Sequence, residues 1–426
     1  MKILLSAYAC EPGKGSEPAV GWNWLLALAE MGHDVSVITR ENNIPGIEAN
    51  RSKSKLKFTT IAYDLPAWCR DFKHWPGGLY VYYLVWQFGA YRRARGIHKR
   101  DPFDLVHHIT FVTFRQPSFM GGLKIPFIFG PVGGGETSPR PLRAGLSHSG
   151  RLREALRDVL IDAVKIDPSM SRAFSKAALI ACTTPETLHR IPRRFHSKCT
   201  VLPAIGINIM TEPVHRAPSH PRFLFVGRLL YWKGIHLALR AMPEVLRHLP
   251  NARLTIIGEG EDAQWLKRVA EDCGVTAHID WIPHLPYSDI TNTYLEHTAL
   301  VFPSLHDSGG LVVLESLGAQ LPVICLDLGG PGTLVDSTCG IVIKTANQSE
   351  SSLHHTLAAA MINIGNNPEM RAELATNCPA RVRRFTWSAT ARHLYSTFDA
   401  TSRGAASRVP SASSSDDRMR NHIQAR

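Results

Sequence analysis

The sequence predicts an α/β protein made of two doubly wound, Rossmann-like domains that face each other across a cleft. Three observations carry this. Short apolar runs of strand length recur along the chain and alternate with longer runs of helical period. Glycine-rich segments follow several of those runs, where open α/β sheets place their ligands. The alternation pauses at a proline-containing stretch, 203–221, and starts afresh at Phe223, so the pattern occurs twice. The expected boundaries are 1–205 for the first domain, 206–385 for the second and 386–400 for a closing helix. A Ser-, Arg- and Ala-rich tail, 401–426, is expected to be disordered.

Composition narrows the class. A chain of 426 residues exceeds one ordinary domain. With 44% hydrophobic and 20% charged residues it can bury an ample core in water. The 48 Lys and Arg against 36 Asp and Glu leave a net charge of +12, which suits anionic ligands or an anionic surface. No Cys/His finger spacing or aromatic RNA-binding motif occurs, so nucleic acid is not an expected partner. Eight scattered cysteines with no CxxC pair point to a reducing compartment, without a disulfide framework or zinc. The apolar run at 3–9 is too short for a secretion signal and fits a first strand. No run reaches the roughly 18 apolar residues of a membrane span. The expected location is cytoplasmic.

In the first half, the strand at 3–9 leads into Glu11-Pro12-Gly13-Lys14-Gly15-Ser16-Glu17, then a helix over 20–31 and a second strand at 35–39. This βαβ unit carries a glycine loop at the carboxyl end of its first strand. Pro18 breaks the dinucleotide fingerprint, and no GxxxxGK[ST] loop occurs. The loop is either a ligand site or a plain strand-to-helix turn. Residues 66–100 crowd Trp68, Trp75, Tyr80, Tyr82, Tyr83, Trp86 and Phe88 ahead of Arg92, Arg93, Arg95, Lys99 and Arg100. This segment reads as a membrane-surface contact or as a buried helix with a solvated basic end. Further strands are expected at 103–110, ending in His107 and His108, and at 125–129. The latter runs into the loop Gly130-Pro131-Val132-Gly133-Gly134-Gly135-Glu136. Residues 140–161 are basic and helical in period, strands follow at 177–182 and 199–202, and Thr184-Pro185-Glu186 reads as a helix start between them.

The second half carries most of the chemistry. A strand at 223–226 ends in Gly227-Arg228-Leu229-Leu230-Tyr231-Trp232-Lys233-Gly234, a glycine-bounded loop with two cations. A forked guanidinium and a point-charge ammonium together suit a diphosphate. The strand at 254–257 ends in Gly258-Glu259-Gly260. Strands at 279–282 and 299–302 lead to His306-Asp307-Ser308-Gly309-Gly310, an apolar helix from Leu311 to Leu317, and a buried strand at 321–325. Asp307 or Ser308 is expected to cap that helix while the Gly309 and Gly310 amides stay open to an anion. Glu315, two turns in and in an apolar context, needs a partner, for which a bound ligand is one candidate. No D-x-D occurs, so no metal and no other cofactor is expected. The cations would do the metal's work on a diphosphate.

The segments FVGRLLYWKG, Gly258-Glu259-Gly260 and HDSGGLVVLESLGAQLPVI, with Phe385-Thr386-Trp387 before the last helix, resemble the donor half of the retaining family 4 glycosyltransferases. The resemblance is strong over about 221–398 and looser over 1–200. It implies the two-domain GT-B fold and a nucleotide-diphosphate sugar as donor. The family's two glutamates, separated by seven residues, fall at Asp307 and Glu315. By resemblance Asp307 faces the transferred sugar, one methylene shorter than the family's Glu, and Glu315 binds the ribose hydroxyls. Arg228 and Lys233 match the diphosphate-binding cations, and Gly15 matches the N-terminal glycine loop. Gly258, Gly309, Gly310 and Leu311 fall on the donor-binding segments. Gly130-Pro131 stands where many members carry a His, leaving His107, His108 and Glu136 as acceptor-side candidates.

The implied reaction moves a sugar to a sugar or lipid-linked sugar acceptor with retention of configuration. Its setting would be exopolysaccharide, lipopolysaccharide or other glycoconjugate synthesis, peripheral to the inner membrane face. A sugar-nucleotide epimerase or phosphorylase on the same plan, and a non-catalytic scaffold, are the alternatives.

Overall fold

The computed structural model describes residues 1–406 except 55, 76, 110, 112, 209–217 and 219. The first sheet comprises β1 (Lys2–Ser6), β2 (Asp34–Thr39), β3 (Phe58–Ala62), β4 (Leu105–His108), β5 (Phe127–Val132), β6 (Leu179–Cys182) and β7 (Cys199–Val201). The second comprises β8 (Arg222–Val226), β9 (Arg253–Ile257), β10 (Ile279–Ile282), β11 (Ala299–Phe302), β12 (Val323–Leu326) and β13 (Gly340–Ile343). Every pairing is parallel. The orders are β3-β2-β1-β4-β5-β6-β7 and β10-β9-β8-β11-β12-β13. Both sheets are thus doubly wound, as the alternation in the sequence predicts.

Parallel strands covered by helices on both faces read as continuous apolar runs. Ala299–Phe302 and Val323–Leu326 are buried at every position for that reason. Each sheet reverses direction next to its first strand, between β1 and β4 and between β8 and β11. A doubly wound sheet opens a crevice at that point, beyond its strand ends.

The helices that build the site are α1 (Ser16–Glu30), α2 (Gly78–His98), α3 (His148–Ala163), α4 (Pro185–Arg190), α5 (Ile235–His248), α6 (Leu311–Gly318) and α7 (Trp387–Ala406). The last helix runs beyond the expected end at 400, and of the expected tail only 407–426 lies outside the described residues. It also returns to the first domain. Trp387, Ala391, Leu394, Tyr395 and Phe398 pack into the core beneath β1 and α1. The two passages between domains run side by side, with the Ile207 amide donating to the Phe385 carbonyl at 3.1 Å.

A second tie runs the other way. Leu142 and Leu146, just ahead of α3, are buried within the core of the second domain. The expected helix over 140–161 is split there. A 3₁₀ turn spans Arg140–Arg143, and Ser147 then starts α3 by accepting the Gly150 amide at 3.2 Å.

Candidate active site

The two switch points face one another, and between them lies a cavity of about 410 Å³. Its first-domain wall is Glu17, Ala19 and Val20, from the start of α1. The second domain supplies Lys233, Asp307 and the run Gly309 to Val312. Trp387 closes the side where the chain crosses between domains.

The polar end of the cavity is built around α6. Gly310 is its N-cap, at φ +89, a left-handed conformation that glycine adopts without a Cβ penalty. No side chain caps the helix. The expectation that Asp307 or Ser308 would do so is corrected, because the turn at Gly310 points both side chains elsewhere. Asp307 accepts the Gly309 amide at 3.2 Å and holds the Lys233 ammonium at 2.5 Å. Ser308 reaches into the first domain. The helix therefore presents uncapped amides and the positive end of its dipole to the cavity, beside an ammonium. Lys233 also lies over the face of Phe302, 5.3 Å from the ring centroid.

The other sequence candidates sit around this centre. Arg228 is exposed on the loop ahead of Lys233 and does not line the cavity. Glu315 is half-buried, and the Tyr294 hydroxyl donates to it at 3.1 Å, so it has a partner within the fold. Gly15 is exposed one residue before α1, while Glu17 from the same turn lines the cavity. Gly258 has φ +139, and a Cβ there would lie 2.0 Å from the Gly227 carbonyl oxygen. It lets the loops after β8 and β9 pack together, behind the cavity wall.

The acceptor-side candidates are buried and hydrogen-bonded within the protein. His107 meets the Gly130 carbonyl at 2.7 Å and the Tyr395 hydroxyl at 3.2 Å. Burial lowers its pKa to about 4, against the opposing pull of the Gly130 carbonyl. His108 meets the Tyr83 hydroxyl at 2.9 Å and the Ser6 hydroxyl at 3.1 Å. Glu136 takes the Thr184 and Thr187 hydroxyls on one oxygen, at 2.7 and 2.8 Å. Its other oxygen takes the Gly134 amide at 3.0 Å and, across the domain boundary, the Ser308 hydroxyl at 2.5 Å.

Sequence reading missed Glu17 and Trp387 as lining residues. The only signals for them were an acidic residue in the first turn of α1 and the aromatic pair before α7. It also missed a cross-domain network on Glu154. This carboxylate, fully buried on α3, accepts from Tyr231 at 3.0 Å, His306 at 2.8 Å and the Ser138 amide at 3.2 Å. Burial alone would raise its pKa. The hydrogen bonds from His306, Ser138 and Tyr231 outweigh that and hold it well below the usual carboxylate range. Burial likewise lowers the His306 pKa.

Residues 211–381 match the family described as Glycosyl transferases group 1. A D-inositol 3-phosphate glycosyltransferase of Segniliparus rotundus is 30% identical over 196 residues, 44% of this chain and 42% of that protein. The chain thus spans less than half the length of this curated relative. Two solved structures match nearly end to end. One is the lipopolysaccharide outer core galactosyltransferase WaaB in its apo form, with TM-score 0.63 and 13% identity over 94% of this chain and 99% of that one. The other is HepE of Anabaena in complex with UDP, with TM-score 0.58 and 14% identity over 94% and 100%. The family match lies over the second domain, and the GT-B fold extends over both.

Proposed function

We propose that the cavity receives a nucleotide-diphosphate sugar and that the protein transfers the sugar to an acceptor with retention of configuration, as a family 4 glycosyltransferase. One observation carries this: the uncapped start of α6 opens into the same cavity as Lys233 and Asp307. A diphosphate there gains amide donors, a helix dipole and an ammonium, with no metal required. Arg228 supplies a second cation from its exposed loop, Glu315 takes the ribose hydroxyls beside Tyr294, and Asp307 faces the sugar.

The acceptor oxygen bonds to the anomeric carbon on the face from which the phosphate leaves. The departing phosphate oxygen takes the acceptor proton, so no strong protein base is needed. Such stabilisation of the leaving group is the type of effect that dominates enzymatic rate enhancement. UDP, the ligand of the solved HepE, is the first nucleotide to try. The acceptor is a sugar or lipid-linked sugar, met at the inner face of a membrane during exopolysaccharide, lipopolysaccharide or related glycoconjugate synthesis. An epimerase on the same plan would turn over without a separate acceptor, and a phosphorylase with inorganic phosphate in its place.

The test is a thermal-shift series with UDP, GDP, ADP and their sugar conjugates. A nucleotide at 100 times its Kd should add about 2.7 kcal/mol of stability. A shift with one nucleotide that Lys233→Ala abolishes supports the site. No shift with any of them refutes it.

A further inference from the structure

A second cavity, of about 400 Å³, lies in the first domain between the start of α2 and the end of α3. Tyr80 lines one side, Leu160 and Val164 the other, and Thr113, Arg115, Gln116 and Asp167 supply its polar groups. The Arg115 Nε and the Gln116 Oε1 are buried without a hydrogen-bond partner. Asp167, also on the rim, is engaged as the cap of the next helix, accepting the Ser169 amide at 2.7 Å. The Arg157 charge acts on Arg115, and the Arg157 Nε donates to the Glu136 carbonyl at 3.0 Å. The Phe114 amide, next to Arg115, donates to the Gly133 carbonyl at 2.9 Å. Ser308, which lines the donor cavity, binds the adjacent Gly134 amide at 3.0 Å. The loop 133–136 therefore links the Arg115 segment of this cavity, through Phe114, to Ser308 of the interdomain cavity.

The helices flanking this second cavity are apolar on the outside. On α3 two carboxylates face inward, Glu154 to Tyr231 and His306, and Asp158 to Arg143 at 2.8 Å, while Asp162 is exposed and pairs with Lys165. The solvent side of α3 carries Leu152, Leu156, Val159 and Leu160, the first 73% exposed. On α2, Tyr80, Val81, Val85 and Phe88 are exposed, and Trp68 and Trp75 stand out from the segment before it. An apolar face of this extent on both sides of a cavity marks a surface that something apolar covers. Exposed Arg92, Arg93 and Arg95 follow the apolar half of α2, and Trp and Tyr side chains of this kind favour a bilayer interface.

We propose that this cavity binds the phosphate of a phosphate-headed lipid on Arg115, with the lipid chain lying along the exposed faces of α2 and α3. A forked guanidinium with an unused donor suits a phosphate, and the apolar walls suit a prenyl or acyl chain. The loop 133–136 then connects the headgroup site to the Ser308 side of the donor cavity. The inference rests on the reading of a lipid-linked acceptor and says where on the chain that acceptor is held.

The test titrates the full chain with farnesyl phosphate, farnesol and inorganic phosphate, following tryptophan fluorescence, with a UDP thermal shift run in parallel on every variant. Farnesyl phosphate should bind saturably, at least tenfold more tightly than either of the other two. R115Q should weaken it at least tenfold while keeping the UDP shift. L156S/V159S, altered only at exposed positions, should weaken it as well. Equal binding of inorganic phosphate, equal binding of farnesol, or unchanged affinity in R115Q would each overturn the proposal. Farnesyl phosphate binding without any nucleotide shift would instead refute the donor-cavity reading and leave this site standing.

Discussion

Lys233 Nζ lies 2.5 Å from Asp307 Oδ2 at the polar end of the interdomain cavity, with both side chains about four-fifths buried. The ammonium that a diphosphate would use is thus already held by the carboxylate that would face the sugar. Binding must shift it from one anion to the other. Asp307→Asn removes the competing charge and keeps an oxygen for the Gly309 amide. Nucleoside diphosphate affinity should then stay level or rise, while turnover of the sugar nucleotide falls at least about tenfold, the scale of losing one polar contact in a transition state. Calorimetric titration beside a turnover assay separates the two. A parallel fall in both would show that Asp307 serves only to shape the loop.

Gly258 makes the opposite kind of prediction. Its φ of +139 and the 2.0 Å approach of the Gly227 carbonyl to a would-be Cβ make it a packing position. Gly258→Ala should cost about 2–5 kcal/mol through strain and overpacking. The cost should be visible as a lower melting temperature without ligand. Normal stability with a selective loss of nucleotide binding would move Gly258 to the ligand instead.

The sequence made the second domain more legible than the first. Its strands are covered on both faces, so 223–226, 299–302 and the strand before Asp327 stand out as unbroken apolar runs. β3 carries two threonines in an FTTIA run and is only partly buried, so it gives no such signal. β5 continues through Gly130 and Pro131 to Val132, past the point where glycine and proline suggest a loop. The loops holding Lys233 and, separately, Asp307 and Gly310 were readable because they are continuous with β8 and β11. Glu17 and Trp387 were not, since only the meeting of the two domains brings them to the cavity. The inward faces of His107, His108 and Glu136 were hidden for the same reason. Their partners lie in distant segments, among them Tyr395, Tyr83 and Ser308.

Acid should destabilise the fold, with His236 as one source. It is fully buried in the second domain, neither ring nitrogen has a hydrogen-bond partner, and burial lowers its pKa to about 3. The folded-state pKa lies below the unfolded value of about 6.5. The unfolded chain therefore takes up the proton first as pH falls. Stability at this site is full above pH ~6.5 and declines by about 1.4 kcal/mol per unit below it, roughly 2 kcal/mol by pH 5. His236→Leu should flatten that decline and match or exceed the parent at neutral pH, because it removes two unpaired polar atoms from a core. Denaturant melts at pH 7.5 and 5 read both effects. An equally steep acid loss in the variant would place the titration elsewhere.

Ser308 closes the cavity from the other side. Its hydroxyl donates to Glu136 at 2.5 Å and accepts the Gly134 amide at 3.0 Å, joining the α6 loop to the first domain. Ser308→Ala leaves Glu136 with the Thr184 and Thr187 hydroxyls and the Gly134 amide, so no buried charge is stranded. The loss should be the roughly 1–2 kcal/mol of one charge-assisted hydrogen bond. Because Glu154 still ties α3 to Tyr231 and His306, the domains should stay joined. What should change is local opening: faster amide exchange at Gly134 and Gly309, with the amides of β8 and β11 unaffected. Loosening the Gly309 loop should also weaken nucleotide binding a few-fold. If exchange rises evenly through both sheets, Ser308 supports the whole domain pairing. If Gly134 exchange does not move, the contact carries no closure energy.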